Sequence, residues 1–78
     1  MKKIALSQFP LCLSLIPEKG FVAIGGSEGI LELLNLQSGK ISKARANSGR
    51  IEAICCTPEG NSVVTGSYGE IIKWHVTL

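Results

Sequence analysis

Ile24-Gly25-Gly26-Ser27-Glu28-Gly29-Ile30-Leu31-Glu32-Leu33-Leu34-Asn35-Leu36 returns forty residues later as Val64-Thr65-Gly66-Ser67-Tyr68-Gly69-Glu70-Ile71-Ile72-Lys73-Trp74-His75-Val76. Read at that spacing, Gly26, Ser27 and Gly29 are matched by Gly66, Ser67 and Gly69. Each copy is a Gly-Ser turn leading into an apolar strand. Internal similarity at a period near forty marks a unit that is one small twisted sheet, unable to cover its own faces and dependent on neighbouring units for a core. Two such units fill most of the 78 residues.

Working outward, each copy is preceded by a strand and a turn of the same kind. Leu11-Cys12-Leu13-Ser14-Leu15-Ile16 is a nearly continuous apolar run, as expected of an inner strand covered on both faces. Pro17-Glu18-Lys19-Gly20 makes a turn, since proline presets φ and glycine accepts a positive one. Residues 21–24 and 30–36 are the next strands, and residues 40–45 alternate as a half-exposed edge strand would. In the second unit the order is residues 51–56, a turn at Thr57-Pro58-Glu59-Gly60, then strands at 62–65 and 70–76. No fourth strand follows, whereas residues 2–8 form a spare one. The expectation is that residues 2–8 pair with the outer edge of 70–76, within one chain or between copies, with Ile4 and Leu6 docked there. No segment of ten residues carries a 3.6-residue stripe free of Gly or Pro, so helices are not expected.

Composition limits the function. The chain is 45% hydrophobic and only 18% charged, which is more apolar surface than so small a domain can hide, so sheet faces should meet copies or a partner. A net charge of +2 is too small to point to a polyanion, and Lys2, Lys3, Lys40, Lys43, Arg45 and Arg50 read as solvated edge charges. Phe9, Phe21, Tyr68 and Trp74 are too scattered for a base-stacking platform, so no nucleic acid is expected. Met1-Lys2-Lys3 and the following apolar residues have the order of a signal peptide. Gln8 and Pro10 interrupt the run, no small-residue cleavage site follows, and removal would take a strand from the sheet. The same run is too short for a membrane span, so no membrane is expected. Cys12, Cys55 and Cys56 give neither a paired disulfide framework nor a four-thiolate site, and a reducing, cytoplasmic setting follows. With His75 as the single histidine, no metal is expected.

A forty-residue unit of short strands is how β-propeller blades read, and the motifs resemble Trp-Asp (WD) repeats. Ile51-Glu52-Ala53-Ile54-Cys55-Cys56-Thr57-Pro58-Glu59-Gly60 is similar to the opening of such a blade, and Leu15-Ile16-Pro17-Glu18-Lys19-Gly20 is similar more loosely. The terminal Trp-Asp is Leu34-Asn35 in one unit and Trp74-His75 in the other, Ala46-Asn47 stands where Gly-His precedes the inner strand, and the turn aspartate is Glu28 or Tyr68. The family's buried His-Ser-Trp-Asp network is therefore expected to be missing from both units, leaving degenerate blades held by packing. Lys73 also falls where an apolar residue is usual, which leaves a one-residue ambiguity in the last strand.

The resulting expectation is an all-β fold of two four-stranded antiparallel propeller blades, with residues 10–46 as blade one and residues 50–78 plus 2–8 as blade two. Gly25-Gly26-Ser27-Glu28-Gly29 matches no phosphate-loop spacing and precedes a strand, so it reads as a hairpin turn. No nucleophile elbow or carboxylate pair is present, and neither enzyme activity nor a cofactor is expected. What remains is a protein-interaction module, or a fragment of a larger WD scaffold, binding a protein partner through its rim at Glu28, Asn47, Arg50 and Tyr68. Tyr and Arg are enriched in interface hot spots. The alternative is a carbohydrate-binding propeller assembled from two-blade subunits, with Trp74 stacking on the sugar. Two blades cannot close a ring, so a homo-oligomer is expected unless a partner supplies the rest. A trimer gives six blades and a tetramer eight, whereas seven is excluded.

Overall fold

The structure, a computed structural model, describes residues 3–6, 8–17, 19–45, 49–57 and 61–75. Seven strands run in chain order: β1 Pro10–Ile16, β2 Phe21–Gly26, β3 Ile30–Asn35, β4 Ile41–Arg45, β5 Ala53–Cys56, β6 Ser62–Ser67 and β7 Glu70–His75. They form two antiparallel meanders, β1-β2-β3-β4 and β5-β6-β7. Among the described residues there is no helix. The strands lie where the alternation and the turn residues put them.

Turns close by local chemistry. Gly20 takes φ 68° while the Lys19 and Gly20 amides donate to Ile16 and Pro17 carbonyls. Between β3 and β4, Asn35 Oδ1 accepts from the Gln37 and Ser38 amides at 2.9 and 3.1 Å, an Asx turn that mimics a backbone turn.

Because side chains alternate along a strand, each sheet has two faces. Cys12, Ile16, Phe21, Ala23, Leu31 and Leu33 line the first sheet's inner face, against Ile54, Cys56, Val63 and Trp74 of the second, with Ile51 between them. Ile51 is fully buried, and its N–H donates to Gly26 O at 2.9 Å. The next amide, Glu52 N–H, donates to Gly66 O at 2.9 Å. One short segment therefore stitches both hairpins together. Gly25 lacks a side chain because Ile51 occupies the space: a Cβ there would lie 2.8 Å from Ile51 Cβ.

Register pairs reveal how the repeat is built. Cys12, Gly25 and Leu31 are cross-strand partners in the first sheet, and Ala53, Gly66 and Ile71 in the second. Equivalent residues are thus 41 apart in the first two strands and 40 apart in the third. The difference sits in the hairpin loop, which has three residues at 27–29 and two at 68–69. Gly66 therefore corresponds to Gly25, not Gly26, and Ser67 to Gly26. Only Gly29 and Gly69 match as the sequence spacing implied, both with positive φ, 72° and 75°. A one-residue slip would turn a whole strand inside out. The loop absorbs it, and Trp74 stays on the inner face.

Three expectations change. The second sheet has three strands among the described residues, against four in the first. Residues 3–6 form no strand, and Gln8 is bonded to β3 of the first sheet instead of extending β7. Finally, β1 is covered on one face only, with Leu11, Leu13 and Leu15 exposed at 40%, 68% and 52%. The apolar run is continuous, yet its outer side lies open on this pair of sheets.

Candidate functional site at the tip of the second hairpin

Gln8 explains the first hairpin tip. Its Nε2 donates to Ile30 O at 2.8 Å and to Glu32 Oε1 at 2.7 Å, while its Oε1 accepts from Glu28 N–H at 3.2 Å. Phe9 N–H donates to Ser27 Oγ and Ser27 N–H to Phe9 O. Ser27, the extra loop residue, thus clamps the segment that delivers Gln8. Glu32 is fully buried, which the Gln8 amide makes tolerable by hydrogen-bonding its carboxylate. Gly26 leaves room: a Cβ there would lie 2.5 Å from Gln8 Cδ.

The second tip is built differently. Adding the 41-residue step to Gln8 gives Gly49, and the missing side chain leaves a depression of about 480 Å³ lined by Gly49, Arg50, Glu52, Ser67 and Tyr68. Arg50 Nε donates to Glu52 Oε2 at 3.3 Å, an ion pair with both side chains at least half exposed. Such a pair adds little stability and remains available to a partner. Tyr68 is 97% exposed at the turn, held out by the two-residue loop. The depression presents a guanidinium, a phenol, a carboxylate and a hydroxyl around an open floor.

Of the rim residues read from the sequence, Arg50 and Tyr68 share this depression. Glu28 is exposed on the first tip and does not line it. Asn47 lies outside the described residues. Gly49 and Glu52 were missed. The signal was present in the repeat, since aligning the inner strands at 41 residues sets Gly49 against Gln8, but a glycine advertises a cavity only when its counterpart's side chain is seen to fill one.

The polar network is also corrected. Trp74 Nε1 donates to Thr65 Oγ1 at 3.3 Å, so one bond of the Trp-hydroxyl type survives in the second unit. The equivalent positions in the first unit are Leu34 and Ile24, both buried and apolar. Trp74 is half-buried against the core cluster, as a packing residue would be, and the carbohydrate reading finds no support. Cys55 and Cys56 point to opposite faces of β5, and no group of three or more His, Cys, Asp or Glu that could hold a metal occurs among the described residues. Cys12 sits against the Gly25 and Ile51 carbonyls, and burial pushes its thiol above the ordinary value.

Comparison with known proteins agrees with this architecture. The chain is 28% identical over 74 residues to WD repeat-containing protein 90 of Xenopus tropicalis, and 29% identical over 77 residues to that of Mus musculus. The relationship is to WD-repeat proteins. These alignments cover 95% and 99% of the chain but only 4% of each relative's length. No family model matches. The chain thus spans only a short portion of the length of the curated relatives it matches.

Proposed function

We propose that this chain is a non-enzymatic protein-interaction module, two successive blades of a WD-type propeller whose second hairpin tip receives a protein partner. The single observation that supports it most is the pair of open faces, each the counterpart of one side of the packed seam. Blade two packs its Ile54, Cys56, Val63 and Trp74 face on the Cys12, Ala23, Leu31 and Leu33 face of blade one. One side of that seam is repeated open at each end: Leu13 and Leu15 of blade one correspond to Ile54 and Cys56, and Ile71 of blade two, 79% exposed, corresponds to Leu31. Further blades, from copies or from a longer chain, would stack there in the same head-to-tail sense. Closure by copies favours a trimer or tetramer, and light scattering that returned a stable folded monomer at micromolar concentration would overturn the ring of copies and leave the two sheets as a small sandwich.

Partner binding at the tip is tested by filling the depression. Gly49 is not in the positive-φ region, and a Cβ there would meet Ser67 Oγ at an ordinary 3.5 Å. Gly49→Gln should therefore fold normally and abolish capture of the protein partner, as should Tyr68→Ala and Arg50→Ala, truncations of hot-spot residue types. Undiminished capture by all three variants would remove the tip from consideration.

A further inference from the structure

The ion pair of Arg50 and Glu52 has no counterpart in blade one. At the 41-residue step that sets Ala53 against Cys12, the residues in their places are Phe9 and Leu11, so the pair belongs to the second tip and not to the frame that the two sheets share. The small and large positions are exchanged as well. In blade one a bare Gly26 admits the side chain of Gln8, and in blade two Ser67 stands at the Gly26 position and faces a bare Gly49, whose added Cβ would meet Ser67 Oγ at 3.5 Å. The second tip therefore exchanges an amide held within the chain for an open lining of one cation, one carboxylate and two hydroxyls.

We propose that the depression receives a primary amide, the side chain of a glutamine or asparagine on the protein partner, a specificity that rests on the tip being the partner site. Arg50 Nε donates to Glu52 Oε2 at 3.3 Å, and that contact leaves the guanidinium amino groups and the other carboxylate oxygen as a donor and an acceptor side by side. A ligand that engages both must carry an acceptor and a donor on one edge. A primary amide does so, its oxygen accepting from Arg50 and its N–H donating to Glu52, whereas a trans peptide group directs its C=O and N–H to opposite sides. Charge selects in the same direction. A partner carboxylate drawn to Arg50 lies beside Glu52, and an ammonium drawn to Glu52 lies beside Arg50, so each attraction is offset by a like-charge contact. A neutral amide meets both groups favourably through charge-assisted hydrogen bonds. Blade one contains the precedent: Gln8 Nε2 donates to the Glu32 carboxylate at 2.7 Å while Gln8 Oε1 accepts from Glu28 N–H at 3.2 Å. The Ser67 and Tyr68 hydroxyls, which can donate or accept, complete the lining without favouring either charge.

The test uses the full chain and displayed libraries of short cyclic peptides that are alike except for a central Gln, Met, Glu or Lys. Binders from the Gln library should be about fivefold or more tighter than the same peptides carrying Met, Glu or Lys, since Met keeps the shape and loses both hydrogen bonds. They should be lost on Gly49→Gln, which fills the depression from within. The two halves of the site are then separated. Glu52→Ala should move the preference to Glu and Arg50→Ala should move it to Lys, each by about fivefold or more, because one unopposed charge remains. Binders that depend on Gly49 and Tyr68 but show no preference for Gln, or whose preference ignores Arg50→Ala and Glu52→Ala, would overturn the amide and leave the tip as the partner site. Binders indifferent to Gly49→Gln and Tyr68→Ala, or none from any library, would overturn both.

Discussion

The two blades solve one problem in two ways. Each must fix the register of its third strand and close the polar end of its hairpin. Blade one uses a three-residue loop, a glutamine from the preceding segment and a buried glutamate, with Leu34 and Ile24 as an apolar pair. Blade two uses a two-residue loop and a Trp74 to Thr65 hydrogen bond, and leaves the glutamine position empty as Gly49. The lesson is that a blade fixes its faces and register while its tip is free to vary. In one blade the tip became a plug, and in the other an open depression.

The largest effect should come from the residue the blades share. Ile51→Ala removes the side chain that fills the space beside Gly25, and by analogy with buried Ile to Ala changes should cost about 2–5 kcal/mol. A domain of this size has a total stability of similar magnitude, so urea titration should find the variant largely unfolded. A small change in midpoint would mean that the blades fold independently of their seam.

Next in size is a matched pair of glycine substitutions. Gly25→Ala forces a methyl into Ile51 and should cost about 1–3 kcal/mol by overpacking. Gly66→Ala occupies the equivalent place on the uncovered face, where the added methyl would meet Ala53 Cβ at an ordinary 3.8 Å, and should stay within about 0.5 kcal/mol. If a further blade covers that face, Gly66→Ala should instead weaken its association. Thermal melts of the two variants, alone and in the assembled state, measure the difference.

The tips give the third comparison. Gln8→Ala removes a hydrogen bond to the buried Glu32 carboxylate and should cost about 1–3 kcal/mol, whereas Thr65→Val, which removes the acceptor of the Trp74 indole and keeps the shape, should cost about 0.5–1.5 kcal/mol. Equal losses in denaturation would make the two closures energetically interchangeable. The smallest effect is chemical and leaves stability untouched. Cys55 is exposed on the open face and should alkylate first, while Cys12, with its thiol pushed up by burial, should react slowest. Slowed labelling of Cys55 at high concentration would report that the face has become covered.

Much of the fold was legible in particular residues. The glycines at 20, 29, 39 and 69 take the positive φ that turns require, and the apolar runs between them are the strands. That Arg50 and Tyr68 lie near one another was legible, because turns following a repeat fall at the same end of each sheet. Gln8 was misread as part of a strand destined for the second blade, since an amide in an apolar segment carries no mark of the carboxylate it will meet 24 residues away.

The sequence by itself determined the strand order, the turn chemistry and the existence of two units, because these depend on local φ preferences and on the period-two alternation of side chains. Only the tertiary structure decided where the one-residue difference between the units falls, which face of each sheet is covered, and that Gly49 leaves a depression where Gln8 makes a plug. Those outcomes depend on contacts between residues far apart in the chain, at Ile51 against Gly25 and Gln8 against Glu32, and excluded volume at such contacts is set only when the sheets are packed.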